Sequence, residues 1–131
     1  MAVVELTKDN FEQAIKDNAF VIVDFWAPWC GPCRNFAPVY DKVSADHADV
    51  VFAKINTEAE QELAAHFQIR SIPTLMIFRD QVIIFSQPGA LPESSFRQLL
   101  GKAQALDMDE VRSQIAAQQT GQQAGPISGT A

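Results

Sequence analysis

Cysteine is scarce in this chain: two residues in 131, Cys30 and Cys33, with only two positions between them. That excludes a disulfide scaffold of the kind that holds small secreted domains together, which needs several crosslinks. Histidine is as rare, with only His47 and His66. A closed zinc site takes four ligands and neither histidine has the close spacing of a finger, so no metal is expected. Basic residues are outnumbered, 10 Lys and Arg against 16 Asp and Glu, for a net charge of −6. Such a balance argues against nucleic acid or an anionic membrane surface as the main partner. No apolar run approaches the ~20 residues of a membrane-spanning helix. The first residues show no basic stretch followed by an apolar block, so no secretory signal is read there. No internal repeat is evident. With 47% hydrophobic residues, the chain has the composition of one packed domain.

Both cysteines fall in the segment Trp-Ala-Pro-Trp-Cys-Gly-Pro-Cys-Arg, residues 26–34. Two thiols at this spacing close on each other only if the backbone turns sharply. Gly31 permits the bend, and Pro32 fixes φ near the helical value. An apolar run of strand-like length, residues 20–26, precedes the pair. Helical spacing of large apolar residues follows it. A strand that delivers Cys-X-X-Cys to a helix N-terminus places the first sulfur where backbone N–H groups and the helix dipole favour an anion. As a structural staple the ring makes little sense, because closing so short a loop removes little chain entropy. The pattern is that of a redox site. Two vicinal thiols and no others fit a reducing compartment, where the pair is catalytic, and the cytoplasm is the expected location.

Along the chain, strands are read at 3–6, 20–26, 50–55, 74–78 and 82–85. Helices are read from a cap at Asn10 to 16, and at 32–47, 58–67 and 92–105. Gln13, three residues after Asn10, reads as the partner in a capping box. Pro38 should kink the second helix. The two final strands, joined at Asp80-Gln81, form a hairpin. Strand–helix–strand units with short loops predict an α/β fold, a central sheet with helices on both faces, made mixed by the hairpin. Residues 1–106 form this domain and 107–131 an extension. The extension opens with an acidic cap at Asp107 and an apolar stripe of Met108, Val111 and Ile115, read as a short helix to about 118. A polar, Gly- and Gln-rich tail read as disordered follows.

From about residue 3 to 105 the sequence resembles thioredoxin. The resemblance rests on WCGPC, Asp24, Trp26, Trp29, Pro38, Lys54, the SIPT segment at 71–74 and Gly89, all in order. It implies the thioredoxin fold and a protein-disulfide reductase that uses no cofactor beyond its own Cys30–Cys33 disulfide. It further implies re-reduction by a flavin-containing thioredoxin reductase; a monomer is expected. Cys30, nearest the helix start and at the exposed edge, would attack the substrate disulfide, and Cys33, one turn in and less accessible, would resolve the intermediate. The resemblance sets Asp24 behind Cys33 as proton relay, with Lys54 beside it on the neighbouring strand. It also implies a cis bond before Pro73, facing the dithiol. Trp29, Gly31, Pro32, Ile72, Pro73, Pro88 and Gly89 would then surround Cys30 and take an extended peptide by β-type pairing. Three positions depart from the pattern: Gln81 stands where glycine is usual in the turn, Pro88 where a β-branched residue is frequent, and residues 82–85 are apolar on both faces. Two other functions remain open on the residues alone. One is a binding or chaperone module whose redox activity is incidental; the other is an oxidase or isomerase of an oxidising compartment.

Overall fold

The computed structural model describes residues 3–124. Five strands, β1 (Val3–Glu5), β2 (Phe20–Trp26), β3 (Val51–Asn56), β4 (Thr74–Arg79) and β5 (Val82–Pro88), form one sheet in the order β1-β3-β2-β4-β5. The β1–β3 and β3–β2 pairs are parallel, and β2–β4 and β4–β5 are antiparallel. Five helices accompany them: α1 (Phe11–Asp17), α2 (Gly31–Ala45), α3 (Gln61–His66), α4 (Glu93–Ala105) and α5 (Met108–Ala124). The sheet is mixed, as the hairpin requires.

Alternation along β2 assigns each side chain to a face. Phe20 and Ile22 point to the side covered by Phe36, Tyr40 and Val43 of α2 and by Phe96, Leu100 and Ala103 of α4. Val21, Val23 and Phe25 point to the other side, with Ile15 of α1 and Leu63 of α3. Burial on both faces explains why β2 reads as a continuous apolar run. The α2–α4 side is aromatic: Phe36, Tyr40, Phe52 and Phe96 meet with ring centroids 5.4 to 6.2 Å apart. Each such side chain contributes about 1.5–3 kcal/mol by leaving water. The single tyrosine hydroxyl, Tyr40 Oη, is directed at the carbonyls of Ile22, 3.1 Å, and Ala53, 2.7 Å, which ties α2 to the β2–β3 pair.

Four local features differ from expectation. Asn10 makes no side-chain cap to α1. Its Oδ1 accepts from Thr7 N at 2.7 Å, while Gln13 bonds Asp17, so no capping box forms. At the hairpin tip both Asp80 (φ 52°) and Gln81 (φ 68°) are left-handed, as a type I′ turn demands, without a glycine. In β5 the register shifts: Ile77 faces Phe85 and Phe78 faces Ile83, leaving Ile84 as an extra, bulged residue. Ile84 and Phe85 therefore both pack on the α2–α4 side, and Ile83 alone remains exposed. The bulge is how an edge strand that reads apolar on both faces hides most of its surface. Lastly, α5 is longer than expected and runs to Ala124, including residues read as tail. The end of the expected tail, residues 125–131, lies outside the described residues.

Candidate active site

β2 ends at Trp26, the loop of Ala27, Pro28 and Trp29 follows, and α2 starts at Gly31 with Cys30 as its N-cap. Cys30 and Cys33 are joined by a disulfide with Cα atoms 5.2 Å apart. Cys33 N–H donates to Cys30 Sγ at 3.2 Å, so an otherwise orphaned first-turn amide of α2 points at this sulfur. The Arg34 guanidinium donates to the Pro28 carbonyl at 3.0 Å and braces the loop.

Two expectations about the pair need correction. In the disulfide form the two residues are not unequally exposed: Cys30 is 4% and Cys33 3% accessible, since both pack with Ala27, Trp26 and Ile72. What separates them is what each one faces. Nor does Gly31 adopt a left-handed φ, and a Cβ built there would meet nothing within 4 Å, so the ring closes without using glycine's freedom.

Cys30 Sγ lies 3.8 Å from the Ile72 carbonyl oxygen. The Ile72–Pro73 bond is cis, and Pro73 is buried. Gly89, at φ 109°, is a residue whose backbone does require glycine, and its N–H donates to the Pro73 carbonyl at 2.7 Å. Pro88 sits opposite Thr74 at the end of β5 and is exposed. Ile72, Pro73 and Gly89 thus gather on the Cys30 side, with Pro88 at the rim. Trp29 projects into solvent, 62% exposed, its indole N–H held by the Glu58 carboxylate. Pro32 is also exposed, one residue inside α2.

Cys33, unlike Cys30, also lines a cavity on the α2 side of the sheet. Asp24 continues the Phe20, Ile22 alternation and points to the α2 side, where Lys54 is its register partner on β3. Asp24, Trp26 and Lys54 of the sheet meet Cys33, Ala37 and Tyr40 of α2 around a cavity of about 70 Å³. The α2 members recur at intervals of four and three, the spacing of one helical face, so counting turns from Cys33 would have found Ala37, Tyr40 and Asp41. Asp24 is 3% exposed and its Oδ1 has no hydrogen-bond partner among the described residues. Burial pushes its carboxyl up to about 7; Lys54 pulls it down and Glu5 pushes it up, both by less. The Lys54 ammonium lies over the Trp26 ring, 4.6 Å from its centroid, so it is shared between the carboxylate field and a cation–π contact. Among the described residues no group of three or more His, Cys, Asp or Glu could hold a metal ion.

Comparison with known proteins agrees with this geometry. The thioredoxin family model matches residues 2–102. A Streptomyces coelicolor protein named "Putative thioredoxin 2" is 59% identical over 116 residues, 88% of this chain and 87% of that protein. Thioredoxin 1 of Synechococcus elongatus is 42% identical over 99 residues, covering 74% of this chain and 92% of its own. The solved structure of Plasmodium falciparum thioredoxin superposes with a TM-score of 0.72 at 34% identity, covering 76% of this chain and 98% of that one. A dithiol ring at a helix start, on this sheet and with these relatives, places the chain in the thioredoxin family of thiol–disulfide oxidoreductases, acting by dithiol–disulfide exchange through Cys30 and Cys33.

Proposed function

We propose that the chain is a general protein-disulfide reductase in which Cys30 attacks, Cys33 resolves and Asp24 takes the Cys33 proton. The observation that carries this is the difference in surroundings of the two cysteines. Cys30 receives a first-turn amide and faces the Ile72 carbonyl, while Cys33 lines the Asp24 cavity. An amide directed at Cys30 favours negative charge on that sulfur, which makes it the nucleophile. Substrate attack gives a mixed disulfide on Cys30. Cys33 must then lose a proton before it can displace the reduced substrate, and Asp24 shares its cavity.

The proposed substrates are protein disulfides, held as extended peptide against the Ile72 carbonyl and flanked by Trp29, Gly31, Pro32, Pro73, Pro88 and Gly89. Lys54 tunes Asp24. Membership of the family supports re-reduction by thioredoxin reductase, a monomeric state, and no cofactor beyond the disulfide. No described helix is long and apolar enough to cross a membrane. Action in the cytoplasm, away from nucleic acid and membranes, is proposed from the acidic balance and the vicinal thiols.

The test is trapping on insulin. Cys30→Ser abolishes turnover, whereas Cys33→Ser accumulates a mixed disulfide between Cys30 and the insulin chain. Trapping by Cys30→Ser, with none by Cys33→Ser, would reverse the assignment.

A further inference from the structure

Strand register sets three charged side chains in one row. Val3, Phe52 and Ile22 are partners across β1, β3 and β2, and all three pack on the α2–α4 side. Two residues further along each strand the side chains return to that face, and the partners there are Glu5, Lys54 and Asp24. An apolar row is thus followed by one that reads acid, base, acid. Leu6, on the opposite face, fixes the place of Glu5: it is 1% exposed, and its N–H donates to the Lys54 carbonyl at 2.9 Å. Glu5 is exposed at the outer edge of the sheet, whereas Asp24 is buried. Between them, the Lys54 ammonium rests over the Trp26 ring. After burial, which has the largest influence, Lys54 favours the Asp24 carboxylate and Glu5 disfavours it. The remaining titratable groups on this side come from α2. Arg34, Tyr40 and Asp41 line the Asp24 cavity with Cys33, and Lys42 lines the neighbouring groove. Burial keeps the Tyr40 hydroxyl protonated. Arg34 and Lys42 act on Asp24 in the sense of Lys54, and Asp41 in the sense of Glu5.

We propose that Glu5 is a positioning residue of the resolving step: its charge offsets part of the pull of Lys54 and so holds Asp24 ready to take the Cys33 proton near neutral pH. This rests on Asp24 as the acceptor of that proton. A base works best when its affinity for the proton matches the working pH. With Lys54 alone beside it, Asp24 would ionise more readily but accept the Cys33 proton less well. In the step itself the Cys33 thiol gives its proton to the Asp24 carboxylate, and the Cys33 sulfur bonds to Cys30 Sγ. The bond between Cys30 and the substrate sulfur breaks, and its electron pair leaves on the substrate, which takes a proton from solvent. Glu5 touches none of these atoms and acts by its field. The backbones of β1 and β2 lie two strand spacings apart, about 10 Å, which is near the screening length in ~0.1 M salt. The influence of Glu5 is therefore felt in dilute buffer and is lost in concentrated salt.

The experiment titrates the Asp24 carboxyl by carbon-13 nuclear magnetic resonance in the disulfide form of the full chain, in about 10 mM and about 1 M salt. In parallel, release of insulin chain from the Cys30 mixed disulfide is timed at about pH 6, where Asp24 is mostly protonated. In dilute salt Glu5→Gln lowers the Asp24 titration midpoint and speeds release by about twofold. Glu5→Asp, which keeps the charge, follows the wild type. In concentrated salt Glu5→Gln and the wild type coincide. A midpoint that Glu5→Gln leaves unchanged in dilute salt would overturn the proposal while leaving Asp24 as acceptor intact. An equal shift in Glu5→Asp, or one undiminished in concentrated salt, would assign the effect to the packing of β1 and overturn it too. Added to Asp24→Asn, Glu5→Gln changes the release rate no further; an additional change would mean that Glu5 acts elsewhere. A midpoint that falls while the release rate stays at the wild-type value would remove Asp24 as acceptor, and the role of Glu5 with it.

Discussion

Asp24 keeps its proton to unusually high pH because burial disfavours its carboxylate more than the Lys54 ammonium favours it, bringing its pKa to about 7. The folded protein thus binds a proton that the unfolded chain gives up near 3.8. Stability from this group is complete below that lower value, falls as pH rises, and is fully lost once pH passes about 7. Asn cannot ionise and escapes the loss. In the disulfide form, Asp24→Asn gains on the wild type by about 2–3 kcal/mol between pH 5 and pH 8, read as the difference in urea-unfolding free energies. A difference that does not change with pH would mean the carboxyl is not buried in solution. The interruption of an apolar strand by Asp24 was visible in the sequence, and the family resemblance set it behind Cys33. The equal burial of the two cysteines in the disulfide form was not visible, because it arises from packing against Trp26 and Ile72, which lie far apart in the chain.

Two of the molecule's elements carry unusual local geometry. The β4–β5 turn holds Asp80 and Gln81 at positive φ, with Asp80 N–H donating to the Ala19 carbonyl at 2.8 Å. A left-handed residue with a Cβ costs about 1 kcal/mol or more, so Gln81→Gly stabilises by about 0.5–1 kcal/mol after glycine's added chain entropy. Thermal unfolding checks this, and a lower midpoint would contradict it. Gln68, at φ 55°, occupies the equivalent place after α3, where Ile69 N bonds the Ala64 carbonyl and Gln68 N that of Ala65, a Schellman ending. Neither turn was legible in detail, since nothing in the composition of these stops names a left-handed residue other than glycine or asparagine. β2 was legible to its ends, because burial on both faces imposes a continuous apolar run. α5 was legible at its start, where the Asp107 carboxylate accepts from the N–H groups of Asp109 and Glu110. Its far end was misread. Residues 116–124 lack large apolar side chains, yet Ala and Gln are good helix formers, and propensity carried the helix onward.

On the scale of the whole molecule, the extension is attached rather than appended. Met108 is 6% exposed, Val111 and Ile115 are half-buried, and Arg112 donates to the Asp80 carboxylate at 3.0 Å at the hairpin tip. The match to the Streptomyces relative covers 116 residues, more than the 106 before the extension, so it reaches into this segment. An ion pair this exposed contributes at most about 1 kcal/mol, and the buried methionine about 1.5–3 kcal/mol. Truncation after Ala105 therefore lowers stability by about 2 kcal/mol while insulin reduction stays near wild type, because Asp80 and Cys30 lie at opposite ends of the antiparallel β2–β4 pair. Lost activity, or unchanged stability, would count against this attachment. The dithiol, the acid behind it and the cis-Pro73 loop all meet at the other end of the sheet, and the proposed chemistry turns on whether Asp24 accepts the Cys33 proton. The most direct measurement is the pH dependence of the resolving step, followed as release of insulin chain from the Cys30 mixed disulfide in wild type and Asp24→Asn. The wild-type rate rises with pH through about 7 as the carboxylate forms. In Asp24→Asn that inflection disappears and the rate at pH 8 falls by at least about tenfold. The same profile in both proteins would contradict the account.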